Sequence, residues 1–142
     1  MTALPIRGMM LSMTTKTKKR AKARKFDPTK PLQMTVKVTP GDWAAGRAAR
    51  DSGSFYVCRD CAAGQAINRT FRERFPGAKK ISATCAEGSV TLRDEDYYRV
   101  MEAKDPPHTL DTVVRNFDKS RGSGKPVRET YPTLKLKFLP TG

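Results

Sequence analysis

The chain has 142 residues, a length typical of one domain, and its 28 Lys and Arg residues outnumber 14 acids, for a formal charge of +14. This imbalance favours a polyanionic partner, and the lack of any run of about 20 apolar residues argues against integral membrane association. The single histidine, His108, argues against a multi-histidine metal site or a His-based catalytic triad. We therefore expect a binding protein with no cofactor and no small-molecule substrate, and not an enzyme.

The positive charge is concentrated at the N terminus. Residues 1–33 contain nine basic residues and one acid, and seven of the ten side chains in residues 16–25 are cationic. A segment of this composition buries too little apolar surface to offset the entropy lost on ordering. We therefore predict a disordered basic tail at residues 1–33 and a compact domain at residues 34–142.

The domain opens with an alternating segment in which Met34, Val36 and Val38 are apolar, which predicts a half-buried strand. Residues 39–42 (Thr-Pro-Gly-Asp) indicate a helix entry or a turn. Residues 46–56 contain the run Ser52-Gly-Ser54, so we interpret this segment as a loop.

Helical spacing of apolar residues from Asp60 to Phe75 predicts a helix, which Pro76-Gly77 ends. Its opposite face would carry the polar residues Gln65, Asn68, Arg69 and Arg72.

Two further alternating segments around Glu87-Gly88 predict a β-hairpin, and residues 93–104 fit either a strand or a helical turn. Thr109 can cap a second helix whose apolar face includes Leu110 and Phe117. A last strand contains Leu134, Leu136 and Phe138. This order predicts a small single α+β domain with one mixed or antiparallel sheet and two helices.

The basic tail is the clearest functional feature, because dense Lys and Arg neutralise phosphates and release counterions without reading sequence. Pairing of the first and last strands would align Lys37, Lys135 and Lys137 on one surface. The residues predicted to contact DNA or RNA are Lys16, Lys18, Lys19, Arg20, Lys22, Arg24, Lys25, Lys37, Arg69, Arg72, Lys135 and Lys137. An acidic protein or a membrane surface is the alternative partner for the tail, and an ordinary solvated face is the alternative for the domain.

Cys58 and Cys61 have the spacing of two zinc ligands, and Cys85 and His108 could complete a Cys₃His set. However, the long gaps before Cys85 and His108 match no familiar zinc finger. Cysteine is often a small buried hydrophobe. We predict core packing for these cysteines, with zinc, redox and disulfide roles as alternatives.

Other candidate features have simpler interpretations. His108 follows two prolines and is expected to have a loop role. The acids Asp94, Glu95 and Asp96 could bind a divalent ion, but a solvated turn is the preferred interpretation. Trp43 could stack on bases with Phe55 and Tyr56, but we predict that it packs in the core.

Three segments together carry a resemblance to a known group of proteins: Val36-Lys-Val-Thr-Pro-Gly-Asp-Trp43, Cys58-Arg-Asp-Cys-Ala-Ala-Gly-Gln-Ala-Ile-Asn-Arg69, and Phe117-Asp-Lys followed by Gly124-Lys-Pro-Val127. Over residues 34–139 the chain resembles a family of small uncharacterised bacteriophage and mobile-element proteins. The resemblance implies a compact α+β domain in a phage or plasmid setting, and no catalytic residue. The basic N-terminal extension and the longer 46–56 segment depart from that pattern.

Together these features predict a non-enzymatic, nucleic-acid-associated accessory protein of phage or mobile-element type, in the host cytoplasm or in the virion. The alternatives are a protein-binding module, such as a virion component or an inhibitor of a host system, and a zinc-stabilised adaptor.

Overall fold

The computed structural model describes residues 25–52, 60–119 and 128–141. They form one α+β domain with an antiparallel sheet, which confirms the predicted fold class. The strands are β1 (Leu32–Lys37), β2 (Ser82–Ala86), β3 (Ser89–Arg93), β4 (Arg99–Ala103) and β5 (Thr133–Pro140). The helices are α1 (Pro40–Asp51), α2 (Ala62–Arg74) and α3 (His108–Lys119).

The strand order in the sheet is β1-β5-β4-β3-β2, so the first and last strands pair. The predicted hairpin is present as β2 and β3, and its turn contains Gly88 at a φ of 77°, a conformation that favours glycine. Within residues 93–104, for which strand and helix were both open, the structure has β4.

α1 occupies much of the segment that the sequence analysis interprets as a loop. Thr39 caps this helix: its side chain accepts a hydrogen bond from the Asp42 N–H, and the Asp42 carboxylate accepts one from the Thr39 N–H, a reciprocal capping box. Pro40 lies in the first turn, where its missing N–H costs nothing. The domain therefore has three described helices where the sequence predicted two.

Gly46 explains part of the mistaken loop interpretation. It lies inside α1, where a Cβ atom would come within 2.7 Å of the Phe117 ring and 3.0 Å of the Asp60 carbonyl oxygen. The glycine therefore permits close packing of α1 against α3 and does not mark a turn.

The folded domain begins earlier in the chain than the predicted boundary at residue 34. β1 starts at Leu32, and the Phe26 ring lies edge-on to Phe71 and Phe75, with centroid distances of 5.1 and 5.5 Å. Residues 1–24, most of the predicted tail, lie outside the described residues.

α2 is the centre of the domain. Its residues Ala63, Ala66 and Ile67 are fully buried, and the helix contacts both β1 and β2. These two strands are the opposite edges of the sheet. The sheet therefore curls around α2, while α1 and α3 also pack against this helix.

Asn68 joins α2 to the β2 edge, and the expectation that it lies on an exposed face is wrong. Its Nδ2 donates to the carbonyl oxygens of Gly64 (2.9 Å) and Ala83 (3.0 Å), and its Oδ1 accepts from the Ala83 N–H (2.7 Å). The buried amide thus gives Ala83 the donor and the acceptor that a neighbouring strand would provide.

Arginines from α2 bond to carbonyl groups on the β1 edge. Arg69 Nη2 donates to the Lys37 carbonyl oxygen at 2.8 Å, and Arg74 Nη1 donates to that of Gln33. Hydrogen bonds from one helix therefore reach both edges of the sheet.

We predict that Asn68→Ala lowers the free energy of unfolding by about 3 kcal/mol, because it leaves the Ala83 N–H and carbonyl buried without partners. Urea denaturation followed by circular dichroism measures this loss. Arg72→Ala, on an exposed position of the same helix, is the matched control and should change stability by less than about 0.5 kcal/mol. Equal effects of the two variants would contradict the role given to Asn68.

Gly46→Ala is expected to cost about 2 kcal/mol, because its Cβ would overlap the Phe117 ring and the Asp60 carbonyl. Gly41→Ala tests the same substitution in the same helix, where the nearest atom, Thr39 Oγ1, is at an ordinary 3.6 Å. It should cause no loss of stability, since alanine favours helix. Thermal unfolding of both variants provides the comparison.

Candidate nucleic-acid interface

The outer surface of β1 and β5 carries three exposed lysines, which we call the lysine face: Lys37, Lys135 and Lys137. Strand alternation buries Met34, Leu136 and the other apolar residues on the inner side and turns the lysines outward. The predicted alignment of these lysines through pairing of the first and last strands is thus present.

The register sets the spacing of the lysine face. Lys135 lies opposite Thr35 and Lys137 opposite Gln33, while Lys37 is paired with Thr133 and so lies diagonal to Lys135. On one face of a sheet, residues two positions apart in one strand and diagonal residues of two paired strands are both about 7 Å apart. Among the described residues, no carboxylate forms an ion pair with these three lysines. The face is therefore a cluster of positive charge that has no ion pair among the described residues.

Arg74, which sequence reasoning missed, adds a fourth cation beside this face. It lines a shallow depression of about 460 Å³ together with Gln33, Lys135 and Lys137. A second depression of about 570 Å³ between β4 and β5 is lined by one acid, Glu102, and by the cations Arg99 and Lys104. Its charge is mixed, so an anion is better matched by the first.

The basic tail joins the domain close to the same depression. Phe26 packs on Phe75, the Arg74 guanidinium lies 5.4 Å from the centroid of the Phe75 ring, and Arg74 bonds to Gln33 near the start of β1. Lys25, the last of the cationic run, immediately precedes Phe26 and is exposed. The other predicted tail contacts, Lys16, Lys18, Lys19, Arg20, Lys22 and Arg24, lie outside the described residues.

The sequence predicted that Arg69 is a free cation on an exposed face, and this prediction is wrong. Its Nε and Nη2 donate to the two carboxylate oxygens of Asp42 at 3.1 and 2.9 Å, and Nη2 also donates to the Lys37 carbonyl. A bidentate pair of this kind is geometrically specific. Arg69 therefore positions β1 and α1. Arg72, by contrast, is exposed on α2.

The Asp42 carboxyl is buried, and burial opposes its ionisation. Hydrogen bonds from Arg69 and from the Thr39 N–H and hydroxyl outweigh this cost, so the pKa of Asp42 lies below its ordinary value. The same hydrogen bond with Asp42 raises the pKa of Arg69. The pair is thus ionised at neutral pH. The capping-box spacing Thr39-x-x-Asp42 is the sequence signal that could have identified Asp42. No local pattern indicated its partner, Arg69.

The cysteine and histidine candidates are only partly brought together. Cys61 and Cys85 are buried, as predicted, with their Sγ atoms 3.5 Å apart. His108 is fully exposed at the start of α3, and among the described residues no three His, Cys, Asp or Glu side chains form a metal-binding group. Cys58 lies outside the described residues.

The remaining candidates have structural roles where they are described. Trp43 is buried, and its indole N–H donates to the Thr130 carbonyl at 3.0 Å. Asp94 closes a turn by accepting from the N–H groups of Asp96 and Tyr98. Phe55 and Tyr56 lie outside the described residues.

No helix in the described parts of the chain is long and apolar enough to cross a bilayer. Comparisons with protein-family models, with curated proteins and with solved structures find no match.

We predict that Asp42→Asn lowers the free energy of unfolding by about 2 kcal/mol at pH 7, since it removes the charge that Arg69 holds in two hydrogen bonds. Because the folded-state pKa of Asp42 is below the unfolded value, this contribution is present above about pH 4 and disappears as the pH falls through the folded-state pKa.

Urea denaturation at pH 7 and at pH 3 measures both effects. The natural protein should lose more stability between the two pH values than Asp42→Asn does. Asp51→Asn, an exposed acid of the same helix, is the control and should keep the natural pH dependence. An unchanged pH dependence in Asp42→Asn would contradict the ion-pair assignment.

Proposed function

We propose that this protein is a non-enzymatic nucleic-acid-binding accessory protein of phage or mobile-element type, which contacts the phosphate backbone through its basic tail and its lysine face. The observation that carries the proposal is the position of Phe26. Its packing on α2 joins the cationic segment to the end of the domain where Arg74 and Lys137 lie.

The charge distribution supports a single extended anionic ligand. Residues 16–25 carry seven cations, and the lysine face has no described ion-pair partner. Each cation that meets a phosphate releases condensed counterions, so two linked basic elements bind one polyanion more tightly than either alone.

The proposed binding is independent of nucleotide sequence, because its contacts are cations on phosphates, which carry no base information. Gln33, Thr35 and Thr133 lie beside the lysines on the same face, and none of them offers a ring for base stacking.

The domain contact is tested with Lys135→Glu/Lys137→Glu in the full-length chain. Fluorescence anisotropy with labelled duplex DNA and with RNA, across a salt series, should show weaker binding, and the slope of log K against log salt should fall by about 2. Lys79→Glu/Arg128→Glu makes the same charge change at exposed positions outside the lysine face and is the matched control. Equal losses in both double variants would show that only net charge matters.

The tail is tested separately by changing Lys16, Lys18, Lys19, Arg20, Lys22 and Arg24 to Gln, which leaves Phe26 and the domain intact. Six lost phosphate contacts should reduce the slope by about 5. Unchanged affinity and slope would exclude a role of the tail. If the natural protein binds neither DNA nor RNA at low salt, the proposed function is wrong. In that case, one protein retained in stoichiometric amount in a pull-down from nuclease-treated host lysate would indicate an acidic protein partner.

A further inference from the structure

Two buried thiols from separate elements meet in the core. Cys61 caps the N terminus of α2 and Cys85 lies in β2, yet their Sγ atoms are 3.5 Å apart. A disulfide needs a separation of about 2.0 Å, so the two sulfur atoms are within about 1.5 Å of bonding distance.

The backbone holds this pair in place through a second attachment of the same elements. Asn68, two helical turns after Cys61, bonds to Ala83, two residues before Cys85. α2 and β2 therefore lie in a fixed register that keeps the two sulfur atoms close together.

The surroundings of Cys61 favour its thiolate form. The hydrogen bond with the Cys85 thiol lowers the pKa of Cys61, and the Gly64 N–H, which donates to Cys61 Sγ at 3.4 Å, acts in the same direction. Burial and the nearby Asp118 carboxylate oppose this effect without cancelling it. The lowered pKa favours the Cys61 thiolate, the form of a cysteine that attacks an oxidant.

We propose that Cys61 and Cys85 are an oxidation site, at which a hydroperoxide converts the two thiols into a disulfide that joins α2 to β2. The Cys61 thiolate attacks the peroxide oxygen, the O–O bond breaks, and Cys61 becomes a sulfenic acid while the leaving oxygen is protonated to water or an alcohol. Cys85 sulfur then attacks Cys61 sulfur, the S–O bond breaks, and a second water leaves with the Cys85 proton. The pair loses two electrons and the peroxide gains them.

This site lies inside the core and does not depend on the lysine face. The oxidation proposal can therefore be right or wrong independently of the proposed function. A disulfide between residues 61 and 85 would tie the N terminus of α2 to β2. This cross-link restricts the unfolded chain and therefore favours the folded one.

The test uses full-length Cys58→Ser, which leaves Cys61 and Cys85 as the only thiols. The reduced, folded protein is treated with hydrogen peroxide, denatured and alkylated. Mass spectrometry should show a monomer that has lost two hydrogen atoms and takes up no alkylating agent, with a linked peptide pair containing both cysteines. The oxidised protein should unfold at a temperature higher by about 5 °C, an increase that dithiothreitol reverses.

Two further variants separate the roles of the thiols. Cys58→Ser/Cys85→Ser, in which a hydroxyl can still donate to Cys61 Sγ, should give a sulfenic acid at Cys61 that dimedone traps, whereas Cys58→Ser/Cys61→Ser, which keeps a good helix cap, should react much more slowly. Circular dichroism checks that each variant is folded. The proposal is overturned if both thiols of folded Cys58→Ser remain alkylatable after peroxide, if cross-linking occurs only between molecules, or if a stoichiometric metal is released on alkylation.

Discussion

The fold depends on hydrogen bonds that α2 makes to both edges of one sheet. Asn68 bonds to the backbone of Ala83 in β2, and the next residue, Arg69, bonds to the backbone of Lys37 in β1. Because adjacent side chains of a single helix reach strands at opposite ends of the strand order, the sheet has to curl around that helix. The buried residues of α2 then fill the space enclosed by the sheet.

The same constraint decides which surface is available for a ligand. With α2 inside, the apolar residues of β1 and β5 face the core, and their lysines face outward. The ion pair of Arg69 with Asp42 fixes α1 beside β1, so Arg69 serves the fold while Arg74, five residues later, stands next to the lysine face. Position along one helix thus decides which arginine pairs with a buried acid and which lies beside the lysine face.

Local patterns predicted those parts of the molecule that depend on neighbours in sequence. Alternation of polar and apolar residues identified β1, β5 and the hairpin, and it aligned the lysines once the first and last strands were paired. Asn68 and Gly46 were misinterpreted because their partners, Ala83 and Phe117, are distant in the chain. Sequence reasoning brought Cys61 and Cys85 together only in the alternative zinc set, because no local pattern pairs residues that are so distant in the chain.

The position of α2 also limits how copies of this chain can associate. A strand edge usually offers open N–H and carbonyl groups on which another chain can assemble as an extra strand, the first step of domain swapping and amyloid growth. Here the Ala83 position of one edge and the Gln33 and Lys37 positions of the other already have side-chain partners. Strand addition at these positions would have to displace side chains of α2, so it competes with hydrogen bonds of the native state.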